Sequence, residues 1–191
     1  VCVHDLEPLG QKILLEREII SSVSFTNPDS AIAIKLEGST FCRINENDHV
    51  LLNVTVPGKN CKTAYKIAKS IDDELQQYLQ FASSVNFGYL TSDFNNLGTG
   101  LKIKYKLHLP SITRSGLIEK VFKDLLAQGI SIKYHHNEQK TDFALGSLYD
   151  ISNEFSMEGT EEQQIQKISN IVENLIYTER KTRNELLAKM P

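Results

Sequence analysis

The chain has 191 residues, of which 40% are hydrophobic and 24% charged, the composition of an ordinary soluble globular protein that can bury a sizeable core. A formal net charge of −3 argues against a generally basic nucleic-acid-binding protein, and no apolar run reaches the roughly 18 residues of a membrane helix. The three cysteines, Cys2, Cys42 and Cys61, lack a CxxC spacing, so we expect a reduced, cytoplasmic protein.

Apolar patterning and turn residues predict the elements of the first part of the chain. The predicted elements are a strand (1–6), a helix (11–20), two strands of a hairpin (31–36 and 40–44) and a third strand (50–56). Gly38 lies in the turn of the hairpin, and Pro57 ends the third strand. These residues therefore predict a small antiparallel sheet.

Two long apolar stripes at helical spacing predict helices over residues 60–82 and 161–189, and Thr160 with Gln163 forms a capping box at the start of the second. The other predicted elements are strands (102–109, 130–134 and 144–152) and a helix (115–128) that Gly129 ends. Helices inserted in blocks between hairpin-like strands are typical of an α+β fold. We therefore predict one domain over residues 1–191, with a mostly antiparallel sheet covered on one face by helices.

A row of cations is the clearest indication of a ligand. Alternation along the predicted strand 102–109 brings Lys102, Lys104, Lys106 and His108 to one face. An anion such as a polyphosphate would relieve their mutual repulsion, although a solvent-exposed sheet face that Lys keeps soluble has the same pattern. The preceding Gly98-Thr99-Gly100 predicts a loop whose backbone N–H groups approach a phosphate, with a flexible turn as the alternative.

Acidic residues and histidines mark two further segments. Glu46, Asp48 and His49 lie within four positions. Two such carboxylates could bind a metal or act in acid–base chemistry, and the alternative is that the segment is a polar turn between strands. His135 and His136 are adjacent, so on a strand they point to opposite faces and do not share a metal. We predict no metal site of the protein's own.

Four short segments carry a resemblance to a known family. They are Asn45-Glu46-Asn47-Asp48-His49, Phe87-Gly88-Tyr89-Leu90-Thr91-Ser92, Asn96-Leu97-Gly98-Thr99-Gly100-Leu101 and Leu107-His108-Leu109-Pro110. These segments resemble the signature blocks of the phosphagen (ATP:guanido) kinase superfamily, most of all its bacterial protein-arginine kinases, the McsB group. The resemblance implies the α+β fold of the phosphagen kinase catalytic domain, ATP with Mg as cofactor, and a protein partner or protein-arginine substrate.

The chain departs from the family pattern at positions that carry chemistry. The resemblance implies that Asn47 stands at the family's catalytic Glu, Leu51 at a phosphate-binding Arg, and Asp93 at the reactive Cys. Lys102 and Lys133 stand where the family has phosphate-facing Arg residues, and Glu138 stands at a second substrate-facing Glu. The family's early SSRIR motif does not occur in this sequence.

These departures favour a degenerate domain, a pseudokinase with a regulatory or protein-binding role. The resemblance then implies nucleotide contacts at Gly98, Thr99, Gly100, Lys102, Lys104, Lys106 and Lys133. One alternative is an active protein-arginine kinase in which Glu46, Asp48, Asp93 or Glu138 takes the carboxylate roles. Another is an interaction module that forms a homodimer through the terminal helix.

Overall fold

The computed structural model describes residues 1–135 and 145–189, and the chain divides into two compact units, Val1–Phe94 and Asn95–Pro191. The described helices are α1 (Pro8–Glu16), α2 (Cys61–Leu75), α3 (Pro110–Arg114), α4 (Ile118–Leu126) and α5 (Glu161–Ala188). The described strands are β1 (Ala31–Ile34), β2 (Thr40–Ile44), β3 (Val50–Val54), β4 (Ser83–Ser84), β5 (Gly88–Tyr89), β6 (Lys104–His108), β7 (Ile130–Tyr134) and β8 (Leu148–Asn153). None of the described helices combines the length and the apolar character needed to cross a membrane.

The first unit contains an antiparallel three-stranded sheet in the order β1-β2-β3, which confirms the predicted hairpin and third strand. Its core is a cluster of buried apolar side chains from the N-terminal segment and the first two strands: Val3, Ile19, Ile20, Ile32 and Phe41. The strand predicted over residues 1–6 is wrong beyond one bridge between Cys2 and Ala31, because Val3–Asp5 forms a 3-10 helix.

The helix predicted over residues 60–82 ends early, because α2 stops at Leu75. Ser83 and Ser84 pair with Tyr89 and Gly88 in the short β4–β5 hairpin, so the chain must leave the helix before that pairing begins. The antiparallel pairing of these strands agrees with the predicted fold class.

The second unit is built around an antiparallel sheet in the order β6-β8-β7. Three apolar or aromatic side chains of this sheet are buried: Ile132, Tyr149 and Ile151. The helix α5 of the same unit also buries a row of apolar residues: Ile165, Ile168, Ile171, Val172 and Leu175. The predicted capping box is confirmed, since the Thr160 hydroxyl accepts from Gln163 N at 3.3 Å and Gln163 Oε1 accepts from Thr160 N at 2.9 Å.

The helix predicted over residues 115–128 corresponds to α4, which begins at Ile118 and ends at Leu126, and the separate short helix α3 precedes it. Gly116 has a φ of +75°, in the left-handed region that glycine adopts without strain, and it lies between α3 and α4. Gly129 follows α4 with a φ of +70°, as predicted for a residue that ends a helix. The prediction of one domain over residues 1–191 is not decided by the division into two units and stays a prediction.

Candidate functional site

A buried ion pair organises the segment that resembles the family's catalytic block. Arg43 Nη1 lies 3.1 Å from Glu46 Oε2, and the side chain of Glu46 is only 4% exposed. The same guanidinium donates to two backbone carbonyls, through Nε to Ile19 O at 3.0 Å and through Nη2 to Glu18 O at 2.9 Å. Arg43 therefore ties strand β2 to the segment that follows α1.

The carboxylate of Glu46 also accepts from two serines. Ser21 donates its backbone N–H at 3.3 Å and its hydroxyl at 3.1 Å, and the Ser24 hydroxyl donates as well. Burial alone would raise the pKa of Glu46, but the Ser24 hydrogen bond and the charge of Arg43 outweigh it, so the pKa lies below its ordinary value. Glu46 is thus a charged, fully bonded carboxylate inside the first unit.

Asp48 is the second buried carboxylate of this segment, with 8% of the residue exposed. Its Oδ1 accepts from two successive backbone N–H groups, Ser92 at 2.7 Å and Asp93 at 3.0 Å. Glu46 and Asp48 consequently bind different partners, and these hydrogen bonds do not bring them together as one acid–base pair. Their assignment as catalytic residues stays a prediction.

The other residues at the altered family positions and next to these carboxylates differ in exposure. Asn47 and His49 are exposed, and Leu51 and Asp93 are partly buried. The outer surface of the 45–49 segment therefore presents an amide and an imidazole, while its two carboxylates point inward. Glu138, the other carboxylate predicted for this role, and His136 lie outside the described residues.

The predicted row of cations forms an exposed surface of the second unit. Alternate residues of β6, Lys104, Lys106 and His108, are exposed, and Tyr105 and Leu107 between them are partly buried. We call the surface formed by Lys104, Lys106, His108, Asp150 and Lys133 the basic face. In register across the sheet, Lys106 pairs with Asp150 and Asp150 pairs with Lys133. The structure therefore brings Lys133 to the surface that carries Lys104 and Lys106.

Asp150 lies at the centre of the basic face. Its Oδ2 lies 3.6 Å from Lys104 Nζ and 3.3 Å from Nδ1 of the buried His135. The face carries three lysines against one carboxylate, so its formal charge is positive with His neutral. Such a donor set fits a polyphosphate, because Lys is a point-charge partner for phosphate oxygens.

The loop before β6 approaches a neighbouring segment too closely for a side chain. A Cβ on Gly98, whose φ is +109°, would lie 2.8 Å from Ser156 O and 2.9 Å from Met157 Cα. Thr99 N donates to Ser156 O at 3.2 Å, and Leu101 N donates to the Thr99 hydroxyl at 3.2 Å. These two backbone donors are already used within the protein. A phosphate contact through Gly98, Thr99 and Gly100 stays a prediction.

The sequence analysis missed several residues that form hydrogen bonds to the 45–49 segment and to the 98–103 loop. Arg43 received no role because it is a single cation in a short strand, and its partners lie up to 25 positions away. Asn153, Ser156 and Gln164 are buried polar residues beside the 98–103 loop, and Asn153 belongs to the last described strand. A buried polar side chain in a predicted strand is a usable signal, because it requires a hydrogen-bond partner.

Comparison with known proteins places this geometry in a family. The family model for the ATP:guanido phosphotransferase C-terminal catalytic domain matches residues 1–182, a range that includes residues of both units. The chain is 33% identical over 192 aligned positions to a protein-arginine kinase of Syntrophomonas wolfei, covering 100% of this chain and 53% of that protein. It is 32% identical to a protein-arginine kinase of Clostridium tetani, covering 96% of this chain and 54% of that protein.

Solved structures support the fold. A duplicated taurocyamine kinase from Schistosoma mansoni with bound transition state analog components superposes with a TM-score of 0.83 at 20% identity, over 94% of this chain and 26% of that chain. A lombricine kinase superposes with a TM-score of 0.78 at 18% identity, over 96% of this chain and 54% of that chain. The chain spans about half the length of the curated relatives it matches. It belongs to the ATP:guanido phosphotransferases, and it corresponds to their C-terminal catalytic domain.

Proposed function

We propose that this chain binds an adenine nucleotide through its basic face but transfers phosphate to arginine poorly or not at all, and that its role is regulatory or protein-binding. The observation that carries the proposal is the way in which the carboxylates of the 45–49 segment are bonded. Glu46 and Asp48 are committed to hydrogen bonds inside the first unit, and the exposed side chain between them is the neutral Asn47.

In the phosphorylation of a guanidinium group, a carboxylate has two roles, to orient the nucleophile and to accept its proton. The nucleophile must be held in line with the phosphoryl group, and it must lose a proton. Asn47 can accept a hydrogen bond from a guanidinium, but it supplies no negative charge and does not take a proton at neutral pH. Because Glu46 already accepts from Ser21, Ser24 and Arg43, it has little capacity to replace that carboxylate.

Nucleotide binding has better support than transfer. The phosphates of ATP require positive charge, with or without Mg bound to the nucleotide. Four lysines supply it: Lys102, Lys104, Lys106 and Lys133. Lys lacks the two-pronged geometry of Arg, and Leu51 puts an apolar side chain where the family resemblance implies a cation. These residues therefore favour binding with weak stabilisation of the transferring phosphoryl group.

The binding half of the proposal is tested by calorimetric titration with ADP–Mg²⁺ and ATP–Mg²⁺. The double variant Lys102→Ala/Lys104→Ala should weaken the affinity roughly tenfold or more, since hydrogen bonds to charged groups contribute about 1.5–3 kcal/mol each. Lys120→Ala/Lys123→Ala is the matched control, because it removes the same charge from the α4 surface of the same unit. Equal losses in the two double variants would show that Lys102 and Lys104 have no specific role in nucleotide binding.

The transfer half is tested by phosphoarginine formation on a denatured protein substrate with ATP–Mg²⁺. Turnover in the usual kinase range of roughly 1–100 s⁻¹ would overturn the proposal. Asn47→Glu alone should not restore turnover, because Leu51 and Lys102 act on the same transition state and such effects are not additive.

An active protein-arginine kinase is the second candidate, and the name of the similar bacterial proteins favours it. In that case Asp93 or Glu138 must supply the carboxylate. Robust turnover that Asp93→Asn or Glu138→Gln abolishes would establish this alternative. A homodimer through α5, on which Tyr177 is 69% and Leu187 is 59% exposed, is a third candidate that sedimentation velocity tests directly.

A further inference from the structure

The loop from Gly98 to Ile103 connects the 3-10 helix Phe94–Asn96 to β6 and carries Lys102. Hydrogen bonds to one neighbouring segment hold it in place. Asn153 Oδ1 accepts from Ile103 N at 2.7 Å, and Asn153 Nδ2 donates to Leu101 O at 2.9 Å. One buried amide therefore fixes the backbone on both sides of Lys102.

Ser156 contributes through its side chain and its backbone. Its hydroxyl, which is fully buried, donates to Leu101 O at 2.8 Å. Its carbonyl accepts from the Thr99 backbone N–H at 3.2 Å, from the Thr99 hydroxyl at 3.1 Å and from Gln164 Nε2 at 2.9 Å. Gln164 belongs to the first turn of α5, so the loop is connected to the longest described helix through this carbonyl.

The same segment also holds the side chain of Lys102. Lys102 Nζ donates to Glu154 O at 2.8 Å, and Glu154 follows directly after Asn153. An ammonium group has three N–H donors, so it can bond to Glu154 O and to an anion at the same time. A cation whose backbone and ammonium are both fixed before binding loses less conformational freedom when a phosphate arrives.

We propose that Asn153, Ser156 and Gln164, which we call the loop clamp, are positioning residues that hold the Gly98–Ile103 loop so that Lys102 meets a nucleotide phosphate. The inference deepens the proposed function and rests on it. The clamp residues do not contact the nucleotide themselves. They act through Lys102, and this distinguishes them from residues that only stabilise the second unit.

The test compares ADP–Mg²⁺ affinity by calorimetry in wild type, Ser156→Ala and Thr113→Val. Ser156→Ala removes one hydroxyl-to-carbonyl hydrogen bond and leaves the Ser156 carbonyl in place. Thr113→Val is the control, because its hydroxyl likewise donates to a backbone carbonyl, Leu109 O at 2.6 Å, and also contacts the Tyr149 hydroxyl at 2.9 Å, both away from the loop. We expect Ser156→Ala to weaken ADP binding about threefold to tenfold, the effect of one hydrogen bond, and Thr113→Val to leave it unchanged.

A second arm separates positioning from general stability. In a Lys102→Ala background, Ser156→Ala should cause no further loss of ADP affinity, since the residue that it positions is absent. Asn153→Leu, which removes the side-chain hydrogen bonds on both sides of Lys102, should weaken binding more than Ser156→Ala if the variant folds. Circular dichroism melting records the stability of each variant.

The outcomes distinguish the two proposals. Wild-type protein that binds no ADP overturns the proposed function and the clamp with it. Wild-type binding that Ser156→Ala leaves unchanged overturns the clamp alone, as does an equal loss in Thr113→Val or an additive loss in the Lys102→Ala background. A loss confined to Ser156→Ala and absent without Lys102 establishes the clamp as a positioning device.

Discussion

Glu46 and the lysines of the basic face are charged groups that the sequence marked as candidate site residues, but their surroundings differ. Glu46 is 4% exposed in its side chain and is bonded to a guanidinium, two hydroxyls and a backbone N–H. Lys104 is 44% exposed in its side chain, and its Nζ lies 3.6 Å from Asp150. The comparison indicates that the charge of Glu46 maintains the fold of the first unit, whereas Lys104 and Lys106 present their charge on an exposed surface of the second unit.

Glu46→Ala should have the largest effect on stability, because it leaves the Arg43 guanidinium buried without its carboxylate. Breaking one side of a buried ion pair typically destabilises a protein by about 3–5 kcal/mol. Urea unfolding measures the loss, and hydrogen exchange should show it in β2 and β3. Asp73→Ala is the control, since Asp73 pairs with Lys69 at 2.7 Å but is 57% exposed, and it should change stability by less than about 1 kcal/mol. Equal effects of the two substitutions would contradict the contrast between buried and exposed charge.

Asp48→Ala should have the next largest effect, because it leaves the backbone N–H groups of Ser92 and Asp93 without their acceptor. Because Ser92 is exposed and Asp93 is partly buried, water replaces part of the lost bonding, and we expect a loss of about 1–2 kcal/mol. Asp48→Asn keeps an oxygen in place and should recover a good part of it. Amide exchange at residues 92 and 93 reports directly on these bonds. Unchanged protection in Asp48→Ala would show that Asp48 does not hold this loop, and that its carboxylate is available for another role.

The pH dependence of stability should carry the signature of Glu46. Its pKa in the folded protein lies below the ordinary value of 4.5, so near and below that pH the unfolded chain binds more protons than the folded one. The stabilisation is therefore present above pH 4.5 and is lost as the pH falls through the folded pKa. Subtracting the urea stability of Glu46→Gln from that of wild type, pH by pH, cancels the other carboxylates. A difference that does not fall with decreasing pH would exclude the charged, bonded Glu46 of the structure.

Local patterns in the sequence predicted some of these features and could not predict others. The Thr160–Gln163 capping box and the alternation of Lys104 and Lys106 depend on residues three or two positions apart, and both are confirmed. The bonds of Glu46 to Ser21 and of Ile103 to Asn153 join residues 25 and 50 positions apart. No local period encodes such pairs. The inward orientation of Glu46 and the clamp on Lys102 therefore became visible only in the folded chain.

The smallest expected effect on stability belongs to the basic face, and there the absence of an effect is informative. In Lys106→Ala/Lys133→Ala, urea unfolding should change by no more than about 0.5 kcal/mol, since exposed charges contribute little and like charges repel each other. The affinity for ADP–Mg²⁺ should nevertheless fall, and the wild-type affinity should weaken between about 0.05 and 0.5 M salt as the field of the face is screened. A variant that loses several kcal/mol of stability would assign these lysines to the fold, as Glu46 is assigned. A variant with unchanged stability and unchanged ADP affinity would leave Lys102 and Lys104 as the remaining candidates for phosphate binding in the second unit.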